Sequence, residues 1–275
     1  MQTKIAMILN DGREVVEYGP CYFWLTALAF KIFGFGILQF RIIGLLFGFF
    51  LIYIFYRFLK LTGTNMIFLF LLLFAFDPIL HSSMHGGRMD TMAASLSLFS
   101  VVLFLENRVK GNSILYFISG CSGALAILTT PRSGFLLIPV ALMLFVSWVK
   151  TKNLKSFSNG LVWSAPILIL YLFWFFHAFG NLEIFSLFYQ QTNEYLQVKF
   201  YVPKFQLPLI ALSVLISLIG IYKNGLKFFN ELNTICFSTI LLFYLLVNDT
   251  GAYSIFIILY YYLIICNNTT LLFSK

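Results

Sequence analysis

From residue 41 onward, long apolar stretches alternate with short polar breaks. The stretches cover 41–57, 65–80, 91–105, 113–129, 134–149, 157–178, 205–222, 232–248 and 251–273. Each is continuous and close to the ~20 residues a helix needs to cross a bilayer. A membrane β-barrel would instead show alternating strands of about ten residues. The pattern predicts an all-α protein, a polytopic transmembrane helix bundle with nine crossings. A tenth candidate, residues 20–34 ("PCYFWLTALAFKIFG"), is shorter and carries Lys31. With Pro20 placed to start it, this helix is expected to lie along the interface rather than to cross.

Composition agrees with lipid as the solvent. The 275 residues are 60% hydrophobic and 10% charged, with 34 Phe and 15 Tyr. No soluble fold of this size hides that much apolar surface. The whole chain, 1–275, reads as one integral-membrane domain. The net charge of +8 does not imply nucleic acid, because the basic residues are spread over short loops. Arg57, Lys60, Arg108, Lys110, Lys150, Lys152, Lys155, Lys223, Lys227 and Lys275 fall on one side of the predicted topology. Eight of the ten acids fall on the other. Short basic loops stay in the cytoplasm, so the acidic side is expected to face outward. The first crossing must then run inward, which asks for another crossing ahead of it, either residues 20–34 after all or a helix that precedes them. Cys21, Cys121, Cys236 and Cys266 are far apart in or beside apolar runs, and read as small buried hydrophobes.

Three polar intrusions carry candidate chemistry, all expected on the outer side. In "HGGRMD" and its flanks, Asp77, His81, His85, Arg88 and Asp90 stand between two apolar runs. Ionisable groups at that depth usually face a cavity or a partner. Arg88 suits a phosphate, and Gly86-Gly87 would let backbone approach a ligand. A wet loop with snorkelling charges, with Asp90 as a helix N-cap, explains the same residues. Two histidines four apart could ligate a metal on a helix, but the glycines argue against a helix there, so no metal site is assigned. In "LTTPRSGFLLIP", Arg132 is either a second phosphate ligand or the basic residue of a tight turn. In residues 11–34 a polar strip turns at Gly19-Pro20 into the interfacial helix. The loop 179–204 is rich in Tyr, Gln and Asn, and its length suggests a functional role.

Taken in order, these stretches resemble the GT-C integral-membrane glycosyltransferases, namely bacterial relatives of the protein O-mannosyltransferases and of the lipid A aminoarabinose transferase. "EYGPCYFWLTALAFKIFGFGILQFRIIGLLFG" (17–48), "GRMDTMAASLSLFSVVLFL" (87–105) and "LTTPRSGFLLIPVAL" (128–142) carry the likeness. It spans 17–150, with additional transmembrane helices in 151–275. The resemblance implies inverting transfer of a sugar from a polyprenyl-phosphate donor to a glycan, lipid or protein acceptor, at the outer face of the cell membrane. It implies Asp90 as a catalytic carboxylate, Arg88 and Arg132 as phosphate ligands, and Glu17, Tyr18, His81 and His85 along the pocket. A divalent metal ion is compatible with the family and not required by these residues. The family also has a first helix and an acidic pair ahead of the equivalent of Gly12. The sequence given starts too late to include them, so it reads as truncated and lacking the usual base. The rival readings are a transporter or flippase of lipid-linked glycans and a non-catalytic subunit; a transporter is expected to show broken helices in two related halves, and the sequence has no such symmetry.

Overall fold

The computed structural model describes residues 20–61, 63, 66–180, 186, 204–228, 230–246 and 254–273. Among them all regular structure is helical, and no strand occurs. The helices are α1 (Cys21–Phe33), α2 (Ile37–Leu61), α3 (Ile67–Ala75), α4 (Pro78–His85), α5 (Asp90–Lys110), α6 (Ser113–Ile127), α7 (Ile138–Thr151), α8 (Leu154–Phe179), α9 (Leu207–Asn224), α10 (Glu231–Leu246) and α11 (Ile255–Phe273). A 3-10 segment, Pro131–Leu137, leads directly into α7.

Each of the nine expected crossings coincides with one helix or one broken helix. Four of these are long and apolar enough to cross a membrane alone: α2, the Pro131–Thr151 segment, α8 and α9. A fifth is α3 with α4, if that pair, bent by 67°, counts as one crossing. Among the described residues the apolar stretches of α6, α10 and α11 are shorter than a crossing needs, and α5 is long enough but not apolar enough. α5 is buried along nearly its whole length, so it carries Thr91, Ser95, Ser97 and Ser100 where a lipid-facing helix would carry Leu. α1 spans about 20 Å at 1.5 Å per residue, too short for a ~30 Å hydrocarbon core. It buries Cys21, Tyr22, Thr26 and Ala29, and exposes Trp24, Leu28, Ile32 and Phe33.

Small residues decide how closely the helices approach, as expected where lipid gives no hydrophobic drive for association. Ser119 donates to the Ser100 carbonyl at 2.7 Å, and Ser122 to the Leu96 carbonyl at 2.8 Å, joining α6 to α5. Trp163 Nε1 of α8 donates to Ser119 Oγ at 3.1 Å. Gly120 faces the Trp163 carbonyl, so a Cβ there would collide with backbone. Gly120→Ala is expected to push α6 and α8 apart and to destabilise by about 1–3 kcal/mol. Thermal unfolding of the detergent-purified chain checks this; an unchanged midpoint would mean the backbones are not in contact.

The helix ends sort by charge. Arg57 of α2 forms a bidentate ion pair with Glu106 of α5. Nearby in sequence, Arg108 donates to Ser147 Oγ of α7 at 3.3 Å. These contacts gather the basic ends of α2, α5 and α7 together, away from the Asp90 end of α5.

Candidate active site

α4 begins because Asp77 caps it. Asp77 Oδ1 accepts from the Ile79 and Leu80 amides at 2.8 and 3.0 Å, and Pro78 pre-sets the first turn. The helix then runs through His85, against the expectation that the glycines forbid one. Gly86 and Gly87 end it instead, with Gly87 at φ +64°, a conformation that side chains disfavour. α4 lies across α2 because Gly44 and Gly48 leave room for Met84. A Cβ on Gly44 would stand 2.6 Å from the Met84 carbonyl oxygen.

This crossing aims the Gly86-Gly87-Arg88 turn at the start of α5. Tyr22 of α1 donates a hydrogen bond to the Gly87 carbonyl, and the Phe40 ring covers Gly87 where a Cβ would project. The Cys21 amide donates to the Leu128 carbonyl at 3.1 Å, which ties α1 to the Thr129-Thr130-Pro131 segment. The described parts of the three polar intrusions, more than 100 residues apart at their extremes, therefore meet at one end of the bundle.

At their meeting point Arg88 donates from Nε and Nη2 to Asp90 Oδ2, at 2.8 and 2.7 Å. Both bonds end on Oδ2, so Oδ1 lies outside this pair. Asp90 is only 4% exposed, whereas the Arg88 side chain is 46% exposed. The carboxyl sits ahead of the apolar run 91–105. Burial pushes its pKa above the ordinary value, opposed by the charge and hydrogen bonds of Arg88 and by the nearby charge of Arg132. Asp90 is not an N-cap. Met89 occupies that position, and α5 has no side-chain cap. Pro131 starts the 3-10 segment that presents Arg132, half-buried beside the fully buried Thr130 and Ser133. The Thr130 hydroxyl has no hydrogen-bond partner among the described residues.

Not every expected residue joins this cluster. His81 and His85 stack on one another with ring centroids 6.3 Å apart, and His81 Nε2 bonds the Ala75 carbonyl at 2.8 Å. Among the described residues neither is bonded to Arg88, Asp90 or Arg132. Glu17 and Tyr18 lie outside the described residues, as does most of the loop 179–204. No three of His, Cys, Asp and Glu converge among the described residues, and Asp90 is engaged by an arginine, so the described residues do not by themselves make a metal site. Sequence reasoning missed Tyr22, whose partner is 65 residues away. The paired glycines were the available signal that something packs there.

Residues 17–177 match the family model described as dolichyl-phosphate-mannose-protein mannosyltransferase. The match takes in the intrusions around Asp90 and Arg132 and residues 17–34 of the third, and it ends within α8. No curated protein and no solved structure matches the chain.

Proposed function

The chain belongs to the dolichyl-phosphate-mannose-protein mannosyltransferase family, and on that premise we propose inverting transfer of a sugar from a polyprenyl-phosphate carrier to an acceptor hydroxyl at the outer face of the cell membrane. The observation that carries this reading is the convergence of Arg88, Asp90 and Arg132 at one end of the bundle. Phosphate leaves the sugar with growing negative charge, and prepositioned cations lower the barrier where that charge develops. Arg132 and the exposed part of Arg88 supply them. Asp90 fixes the Arg88 guanidinium through Oδ2 and presents Oδ1 to the acceptor. The acceptor oxygen forms the new bond to the anomeric carbon from the face opposite the departing phosphate. Its proton passes to a carboxylate, the role general-base catalysis asks for. Apolar exposed helix faces beside the site, among them Phe23, Trp24 and Phe40, suit a polyprenyl tail.

Membranes carrying the full chain, given radiolabelled polyprenyl-phosphate sugars, test the reading. Arg132→Met is expected to lower transfer by about 10²-fold, with part of the loss in donor KM. Transfer at the parental rate in Arg132→Met would remove Arg132 from the donor site. A sugar nucleotide used equally well in place of the lipid-linked donor would overturn the donor class.

A further inference from the structure

A second polar site lies at the break between α3 and α4, apart from the Arg88–Asp90 cluster. A cavity of about 220 Å³ is lined by Leu72, Phe76, Asp77, Gln206, Leu209 and Tyr262, among others. Tyr262 of α11 donates to Asp77 Oδ2, so α11 closes the inner wall. Gln206 is 1% exposed, and its Nε2 has no hydrogen-bond partner among the described residues. A buried amide left unpaired costs about 1–3 kcal/mol, and an acceptor held in the cavity would satisfy it.

A single water takes about 30 Å³ of liquid volume, far less than this space. Most of the wall is apolar, so a water-filled cavity would leave its waters short of polar neighbours. On the rim, Leu72 is 45% and Phe76 80% exposed. The cavity is thus reached across apolar surface of the kind that faces hydrocarbon.

The polar end selects the head group. Gln206 Nε2 needs an acceptor, and the Asp77 carboxylate, which lines the same cavity, takes a donor. An ammonium offers only donors. A phosphate offers acceptors, but would face Asp77 in a wall where no described lining residue is basic. A hydroxyl supplies both. We propose that this cavity binds a lipid with a neutral hydroxyl head, its chain leaving past Leu72 and Phe76 and its hydroxyl bridging Gln206 and Asp77.

Photo-crosslinking tests this without any need for transferase activity. The full chain in detergent micelles is irradiated with three diazirine-bearing probes of one chain length: a long-chain alcohol, its carboxylic acid and its amine. Mass spectrometry maps the adducts. The alcohol is expected to label the 72–78 segment or Leu209 at least several-fold more than the other two probes. Gln206→Leu, and separately Leu209→Trp, which fills the cavity without touching the polar pair, are each expected to abolish that excess. Equal labelling by all three probes would overturn the proposal, as would adducts elsewhere only, or an excess that survives in either folded variant.

Discussion

Asp90→Asn is expected to reduce sugar transfer by about 10²- to 10⁴-fold while the protein still inserts and purifies as the parent does. Asparagine keeps the size of the side chain and one acceptor oxygen, but loses the charge that holds Arg88 and any capacity to take a proton. Asp90 is 4% exposed and lies at the helix start where the three polar segments converge. Its environment pulls in two directions, burial favouring the protonated acid and Arg88 and Arg132 the carboxylate. Burial is the larger influence, so the pKa lies above the ordinary aspartate value. If the carboxylate is the working form, transfer falls as pH drops through that raised value. The acid limb of the rate profile should therefore lie above the ordinary carboxylate range, and should flatten in Asp90→Asn. Initial rates at saturating donor from about pH 4, just above the ~3.9 of free aspartate, up to about pH 8 check both points. Transfer by Asp90→Asn at the parental rate would sink the assignment.

Arg57→Met is expected to produce the largest loss of stability, about 3 kcal/mol. The Glu106 side chain is only 10% exposed and receives two hydrogen bonds from Arg57. The Arg57 guanidinium also lies over the Tyr53 and Phe99 rings, at 5.9 and 5.8 Å from their centroids. Removing the cation strands a carboxylate among apolar side chains, which costs far more than the pair itself contributes. The double variant Arg57→Met/Glu106→Leu should therefore recover most of the loss. Thermal unfolding of the parent, both single variants and the double variant gives the coupling directly. A single variant no worse than the double would show that the pair is effectively solvated.

Much of the helical plan was legible in the sequence. Lipid permits only backbones that satisfy their own hydrogen bonds, so long apolar runs had to become helices, and all nine expected segments did. Helix punctuation was legible where one residue type has a single use. Pro20, expected to start a helix, directly precedes α1. It misled at His81 and His85. There the glycines were weighed against a helix, although the Asp77-Pro78 start and a Gly86-Gly87 stop fit eight helical residues between them.

What the sequence determined by itself is the class, the helix positions and the identity of the charged residues near one end, because hydropathy and local capping act over a few neighbouring residues. What only the tertiary structure decided is which of those residues meet. Asp77 and Asp90 look alike in sequence, each beside an apolar run. One became a cap bonded to Tyr262, 185 residues away, and the other a partner for Arg88 near Arg132. Helix crossing made that difference. Gly44 and Gly48 let α4 lie against α2, and the hydroxyls of Ser119 and Ser122 hold α6 against α5. Such contacts depend on the shapes of two surfaces at once, which no single stretch of chain encodes.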